Sequence, residues 1–153
     1  MGKIEAGRLI LVENLHKKNF TNAKTWYYAM WVEDADGGNE RCWLMTNKDI
    51  QLAENRAERN VEDCIAPVND DADQGIALVD APRVRGRIIP VYNKKRKHWN
   101  SKYAYSAVFV EDTNGENQRC LLLTDYEIHR VEHRAKRNQE DIPQKSLITD
   151  ILD

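Results

Sequence analysis

Residues 129–133, with the sequence HRVEH, are the stretch of this chain that comes closest to a catalytic motif. In inverted zinc metallopeptidases an HxxEH segment holds zinc with two histidines one helical turn apart, and its glutamate activates water. Those enzymes need another acidic ligand far downstream, whereas only 20 residues follow His133 here. The corresponding positions in the internal repeat described below are Gln51 and Asn55, which do not suit zinc. The sequence therefore argues against a catalytic zinc site and leaves only incidental metal capture by an exposed histidine pair.

Two acidic segments place oxygen ligands at alternate positions, as the opening of a calcium loop does. Residues 34–37 have the pattern Asp-x-Asp-Gly, and residues 112–115 have the pattern Asp-x-Asn-Gly. A calcium loop also needs a bidentate glutamate at a fixed distance, and neither segment has one at that spacing. A tight hairpin turn explains the same residues, because Gly, Asn and Asp tolerate the positive backbone angles of such turns. We therefore expect two hairpin turns here and no metal site.

Three cysteines, Cys42, Cys64 and Cys120, are the remaining side chains of high intrinsic reactivity. An odd number of cysteines without a CxxC pair does not indicate a disulfide framework. Cys42 and Cys120 lie in strand-like segments, where a small buried core residue is the simplest interpretation. No Ser/His/Asp or Cys/His grouping recurs in both parts of the repeat, and no glycine-rich phosphate loop is present. We expect a protein that is not an enzyme and needs no cofactor.

Cations and aromatic rings are concentrated between residues 83 and 103, a stretch that contains no acidic residue. Such cations can hold phosphates while the rings stack on bases. A helix over residues 125–137 adds further cations to this half of the chain. The residues predicted to contact nucleic acid are Arg87, Lys94, Lys95, Arg96, Lys97, Trp99, Lys102, Arg130, Arg134 and Arg137. A solvated turn is the structural alternative for the KKRK run at 94–97.

The charge is unevenly distributed along the chain, although its net value is only −2. Residues 1–82 hold nine Lys/Arg and fifteen Asp/Glu, a balance of −6, whereas residues 83–153 hold fourteen and ten, a balance of +4. This asymmetry indicates either a side that faces a polyanion or two halves that attract each other. A sequence pI near 6.1 opposes tight nonspecific binding of nucleic acid, so the hypothesis is a local patch.

An internal repeat determines what elements must position these side chains. Residues 22–64 align without a gap onto residues 100–142, and 21 of the 43 paired positions are identical. We call residues 1–64 the first copy, residues 65–82 an acidic connecting segment, and residues 83–153 the second copy, which ends in a short apolar helix. A unit of about 60 to 70 residues buries little apolar surface. We therefore expect the two copies to pack against each other.

Each copy is predicted to contain three strands followed by one helix. Segments rich in branched and aromatic residues indicate the strands, and apolar spacing at i, i+3 and i+7 indicates the helices. The predicted strands are 9–12, 26–32 and 41–45 in the first copy and 88–91, 103–110 and 119–123 in the second. The predicted helices, 47–59 and 125–137, begin after the N-caps Thr46 and Thr124. Asn60 and Asn138 are predicted to be left-handed C-caps, and Pro90 is expected at a sheet edge or bulge.

These elements predict an α+β fold of two tandem βββα-like repeats, related by a pseudo-twofold axis. Antiparallel hairpins would form one or two sheets, with one helix from each repeat packed on them. Glu54 and Arg56, identical to Glu132 and Arg134 of the second copy, are expected to tie a helix to its sheet or one copy to the other.

The function predicted from the surface is that of a small non-enzymatic binding protein with a nucleic-acid-facing patch on the second copy. One alternative is a protein-interaction module that regulates or inhibits a larger enzyme, as accessory proteins of phages and mobile elements do. Another is a small-ligand site in the seam between the copies. No long apolar run or lipidation signal occurs near Met1, so we expect a cytoplasmic location and no membrane partner. The oligomeric state has no sequence signal.

Overall fold

The computed structural model describes residues 5–13, 26–68, 71–81, 83–93, 105–139 and 142. Within these ranges the chain has a mixed α/β fold, in which two α-helices accompany a curled eight-stranded sheet. The strands are β1 (Ile10–Glu13), β2 (Trp26–Asp34), β3 (Arg41–Met45), β4 (Cys64–Val68), β5 (Asp71–Ala77), β6 (Arg87–Asn93), β7 (Tyr105–Val110) and β8 (Arg119–Leu123). The helices are α1 (Asn47–Asn60) and α2 (Asp125–Arg137), and a short 3₁₀ helix spans Leu78–Asp80. Neither α-helix of the described residues is long and apolar enough to span a membrane.

The strands follow the order β1-β2-β6-β4-β5, while β3 pairs with β2, and β7 pairs with β6 and β8. Most neighbours are antiparallel, as hairpins require, but β2 and β6 are parallel where Glu33 lies opposite Arg87. A second parallel bridge joins Arg8 to Glu111. In each copy, the segment at the start of the first strand therefore pairs with the end of the long strand, β2 or β7, of the other copy. Pro90 lies between the part of β6 that pairs with β2 and the part that pairs with β4.

Two glycines allow the backbones to cross at these parallel bridges. Gly7 and Gly86 have positive φ angles of 83° and 80°. The N–H of Gly7 donates to Trp31 O at 2.8 Å, and the N–H of Glu111 in the other copy donates to Gly7 O at 2.8 Å. A Cβ atom on Gly86 would lie 2.7 Å from the backbone nitrogen of Gly7, which is closer than any side chain tolerates. Both the positive φ angle and the lack of room for a Cβ atom therefore require glycine at these positions.

The two acidic segments form the predicted hairpin turns. Gly37 and Gly115 have φ angles of 91° and 86°, as expected for the tight links between β2 and β3 and between β7 and β8. Asn39 and Asn117 also have positive φ angles, and their side chains donate to Asp34 and Asp112. The local hydrogen bonds explain why asparagine, which tolerates the left-handed region, follows the glycine in both turns.

Both helices begin as predicted, but their ends differ from the prediction. Thr46 and Thr124 form complete capping boxes, and the buried residues of each helix are those of the predicted apolar stripe. The left-handed C-caps were a wrong prediction, since the C-cap of α1 is Val61 with an αR backbone, and Asn138, the C-cap of α2, has a φ of −120°. Instead, the amide groups of Asn60 and Asn138 each donate at 2.8 Å to the carbonyl four residues earlier. This side-chain bond satisfies a terminal carbonyl without a left-handed residue.

Each helix packs on a strand of the other copy. Helix α1 lies against β8, and α2 lies against β3. The largest core cluster accordingly contains side chains from both copies, among them Met30, Trp43, Val108 and Leu121. The sequence predicted that helices lie on the sheet but did not indicate that they are exchanged in this way.

Residues 65–82 contain more structure than the interpretation as a solvated connection anticipated. Strands β4 and β5 form an antiparallel hairpin there, and Leu78 of the following 3₁₀ helix is fully buried. Strand β5 stands at the end of the strand order, so it does not need the continuous apolar sequence that marks a central strand. The predicted C-terminal helix lies outside the described residues.

Candidate functional site

A cleft of about 260 Å³ lies where α2 of the second copy meets β3 of the first. We call it the seam cleft. Its lining residues are Trp31, Glu40, Arg41, Cys42, Glu132, Ala135, Lys136, Gln139 and Ile142. Because four of these residues belong to the first copy and five to the second, neither copy alone would form the cleft.

One wall of the seam cleft is a network of charged side chains centred on Glu132. The Oε2 atom of Glu132 accepts a hydrogen bond from Arg41 Nη1 at 3.0 Å and another from Trp43 Nε1 at 3.1 Å. Arg41 also donates through Nη2 to the carboxylate of Asp34. The positive charge of Arg41 is thus balanced by carboxylates on two sides. These residues form a fixed wall that joins β3 to α2.

The floor of the seam cleft is apolar. Ala135 and Ile142 are only 4% and 6% exposed, and they pack with Cys42 in one core cluster. Burial raises the pKa of Cys42 to about 12, so its thiol is neutral at physiological pH. Burial likewise raises the pKa of Cys64 and of Cys120 to about 11. All three thiols therefore behave as small apolar side chains. Cys42 and Cys120, which the sequence predicted to be buried core residues, are partly buried at the edge of the core, and Cys64 is fully buried.

Three hydrogen-bond donors of the seam cleft have no acceptor among the described residues. The indole nitrogen of Trp31 is buried, yet it has no hydrogen-bond partner within this part of the chain. Lys136 and Gln139 are exposed at the rim, and their side chains make no hydrogen bond or ion pair with another described residue. A buried donor that lacks an acceptor costs about 1 to 3 kcal/mol. The indole nitrogen is enclosed by the protein, so the donors that a molecule bound in the cleft could reach are those of Lys136 and Gln139.

A second cleft, of about 220 Å³, lies at the equivalent place between α1 and β8. Its lining residues are Glu54, Ala57, Glu58, Val61, Gln118, Arg119 and Cys120. Each of them aligns with a residue of the seam cleft in the internal repeat. Four types are unchanged between the two clefts, namely the arginine, the cysteine, the glutamate and the alanine. The framework of the two clefts is therefore the same.

The donors of the seam cleft are missing from the second cleft. At the aligned positions Trp31 is replaced by Phe109, Lys136 by Glu58, and Gln139 by Val61. The guanidinium of Arg83 lies 4.9 Å from the centre of the Phe109 ring. The second cleft thus lacks an indole N–H and presents a carboxylate where the seam cleft presents an ammonium group.

Two ion pairs hold the helices that form these clefts. Arg56 of α1 donates to both carboxylate oxygens of Glu127, at 2.6 and 3.0 Å, and to the carbonyl of Leu122 at 2.9 Å. At the equivalent place Arg134 donates to Asp49 at 2.8 Å and to a carbonyl of β3 at 2.9 Å. Each arginine therefore joins its helix to a helix and a strand of the other copy. The sequence-based expectation that Arg56 and Arg134 have a structural role is confirmed.

The carboxylates of these ion pairs have altered acidity. Burial alone would favour the neutral acids, but the arginines and the N-cap backbone donate hydrogen bonds to the charged forms. For Glu127 the bonds from Arg56 and Thr124 outweigh burial, and they lower its pKa. Burial is likewise outweighed at Asp49, where the bonds from Arg134 and Thr46 lower the pKa. Both carboxylates are charged at neutral pH.

The predicted nucleic-acid residues are only partly within the described structure. The six that lie outside it are Lys94, Lys95, Arg96, Lys97, Trp99 and Lys102. Arg87 donates to Glu33 at 3.0 Å, and Arg130 donates to Asp49 at 2.9 Å. Arg134 belongs to the ion pair described above, and Arg137 is exposed at the end of α2. The described cations are therefore distributed over several places, and a nucleic-acid interface stays a prediction.

The two histidines of the HRVEH segment are exposed on α2, whereas its Val131 is buried in the core. The rings of His129 and His133 are 5.6 Å apart between centroids and meet edge to face. Glu132, which would have to activate water in a peptidase, is instead held by Arg41 and Trp43. No group of three or more potential metal ligands occurs among the described residues.

A small-ligand site in the seam between the copies was one of the alternatives from the sequence, but no residues were predicted for it. The positions that are identical in the two copies form the shared framework. The informative positions are those that differ next to identical ones, such as Trp31 against Phe109 and Lys136 against Glu58. Only the exchanged helices show that these differences meet in one place.

Comparisons of the chain with protein-family models, with curated proteins and with solved structures returned no match. The function is therefore inferred from the geometry of the seam cleft.

Proposed function

We propose that this chain is a small non-enzymatic binding protein that holds a small organic ligand in the seam cleft. The observation that carries the proposal is the cleft of about 260 Å³, which has an apolar floor and, at its rim, the exposed donors of Lys136 and Gln139 without a partner among the described residues. Ligand sites in proteins combine an apolar surface with a few polar groups of this kind. A ligand with an acceptor atom would bond to these donors, and the apolar floor would cover the rest of its surface.

Binding is favoured over catalysis by the state of the reactive groups. Cys42 is a neutral thiol because burial raises its pKa to about 12, so it is a poor nucleophile. Glu132 and Arg41 are paired with each other at 3.0 Å and form the wall of the cleft. These side chains support a role in shaping the site.

We further propose that the two copies are βββα units related by a pseudo-twofold axis, with their helices exchanged. Support comes from contacts that occur in equivalent pairs. Arg8 donates to Glu111 at 2.9 Å, and Arg87, its counterpart, donates to Glu33 at 3.0 Å. The seam cleft and the second cleft would then be the two equivalent sites of this arrangement, of which only the first kept binding groups.

Thermal unfolding with a set of small metabolites tests the ligand-binding proposal. A ligand present at 100 times its dissociation constant should stabilise the protein by about 2.7 kcal/mol. Lys136→Trp should fill the rim of the seam cleft and abolish the stabilisation. Glu58→Trp, the matched change at the second cleft, should leave it intact. A stabilisation that survives Lys136→Trp would place the ligand elsewhere and contradict the proposal.

A second candidate function, nucleic-acid contact, is favoured by the exposed face of α2. Arg130, Lys136 and Arg137 are exposed there, together with two histidines, whereas the exposed face of α1 includes Glu58. Oligonucleotide titrations at about 50 and 200 mM salt would test it, since phosphate contacts weaken steeply with salt. Neutralising the four cations at 94–97 should remove the binding. Binding that is unchanged in this variant, or insensitive to salt, would contradict this candidate.

A further inference from the structure

We infer that the ligand of the seam cleft is a small organic acid, with its anionic group at Lys136 and its body beside the ring of Trp31. This inference rests on the proposed function, because it specifies what the same cleft binds. It follows from the charge of Lys136, from the volume and the apolar floor of the cleft, and from the residues that differ between the seam cleft and the second cleft.

Lys136 is the charged residue of the lining for which the described structure shows no partner. Arg41 is balanced by Glu132 and Asp34, and Glu132 also accepts from Trp43. Glu40, the other acid of the lining, already has an interaction of its own. The ammonium group of Lys136 favours one negative charge on the ligand.

The volume and the floor of the cleft describe the rest of the ligand. A cleft of about 260 Å³ corresponds to roughly nine water molecules at about 30 Å³ each. The ligand therefore has on the order of ten non-hydrogen atoms. The floor formed by Cys42, Ala135 and Ile142 is apolar, which favours a ligand with a hydrocarbon or aromatic body.

The second cleft acts as an internal control for this inference. It keeps the framework but has Glu58 in place of Lys136. A carboxylate at that position repels an organic acid. The two clefts together therefore predict one bound acid per chain, although the framework is duplicated.

The test uses carboxylic acids paired with their neutral amides on the full-length chain: benzoate with benzamide, nicotinate with nicotinamide, and hexanoate with hexanamide. Nuclear magnetic resonance of the tryptophan indole N–H groups reports binding directly. Trp31→Phe, which introduces the residue type of the second copy, identifies the Trp31 signal among the four tryptophans. Titrations on the unmodified chain then give the affinity of each acid and each amide.

We expect acids to shift the Trp31 signal and to bind about fivefold more tightly than their amides, the effect of one partly exposed ion pair. Lys136→Glu should remove this preference, and Glu58→Lys, its counterpart, should not change it. If amides bind as tightly as acids, or if the preference survives Lys136→Glu, the inference is wrong while the proposed function stands. If neither acids nor amides shift the Trp31 signal, the proposed function fails with it.

Discussion

The seam cleft and the second cleft share their framework and differ in their lining. In both, an arginine of the strand, a glutamate of the helix, a cysteine and an alanine occupy aligned positions. The donors Trp31 and Lys136 occur only in the seam cleft, where Phe109 and Glu58 are their counterparts. The comparison teaches that side chains identical in the two clefts belong to the contacts between the copies, such as that of Arg41 with Glu132. Side chains that differ, such as Lys136 and Glu58, give the two clefts different charges.

The largest effect is expected where both copies depend on the same backbone crossing. Gly86→Ala should lower the free energy of unfolding by about 2 to 4 kcal/mol, since alanine disfavours a positive φ and its Cβ would meet backbone atoms of Ala6 and Gly7. Gly7→Ala should have a similar cost. Urea unfolding monitored by circular dichroism measures both.

Gly38→Ala is the control for the crossing glycines. Gly38 has no positive φ, and an added Cβ would first meet the flexible carboxylate of Asp36 at 3.3 Å. Its cost should stay below about 0.5 kcal/mol. Equal costs at Gly38 and Gly86 would show that the crossing does not constrain the fold.

The second effect tests whether the two halves of the framework are equivalent. Arg56→Ala should cost about 2 to 3 kcal/mol, because it leaves the partly buried carboxylate of Glu127 without its cation. Arg134→Ala should cost less, about 1 to 2 kcal/mol, because Arg130 still donates to Asp49. Chemical denaturation gives both values. A larger cost for Arg134→Ala than for Arg56→Ala would show that Arg130 does not support Asp49.

A smaller effect should distinguish the two clefts within the shared framework. Glu132→Gln should cost about 1 to 2 kcal/mol, because Glu132 accepts from both Arg41 and Trp43. Glu54→Gln should cost less than about 0.5 kcal/mol, since Glu54 approaches Arg119 only to 3.9 Å. Thermal unfolding of the two variants side by side measures the difference. Equal costs would mean that the wall of the seam cleft is no more rigid than its counterpart.

Low pH should lower the free energy of unfolding by acting on both copies. The pKa values of Asp49 and Glu127 are lower in the folded state, where arginines and N-cap backbone groups outweigh burial. Their stabilising contribution is therefore complete above the unfolded-state values of about 4 and is lost as the pH falls through the lower folded-state values. Urea unfolding at pH 7, 4 and 3 should show this decline.

The variant Asp49→Asn/Glu127→Gln provides the comparison for the acid experiment. It should be less stable at pH 7 and should lose less stability between pH 4 and 3 than the unmodified chain. If the two pH profiles run parallel, other carboxylates are responsible for the acid sensitivity.

Sequence patterns predicted the local elements well where a local cause determines them. The capping boxes at Thr46 and Thr124 and the hairpins at Gly37 and Gly115 follow from interactions within a few residues. The prediction of left-handed C-caps failed because an asparagine near a helix end can either adopt a left-handed backbone or donate its side-chain amide to a helix carbonyl. Only the structure shows that Asn60 does the second. The hairpin of β4 and β5 was missed because its second strand is acidic and lies at the end of the strand order.

The sequence by itself determined the type and order of most elements, and it contains two segments with 21 identities in 43 aligned positions. The tertiary structure alone decided that the helices are exchanged, so that α1 lies on β8 and α2 on β3. The physical reason is that an apolar helix stripe specifies that it must be buried but does not specify which strand buries it. The seam cleft depends on this choice, since it brings Trp31 and Lys136, 105 positions apart in the chain, to the same cleft.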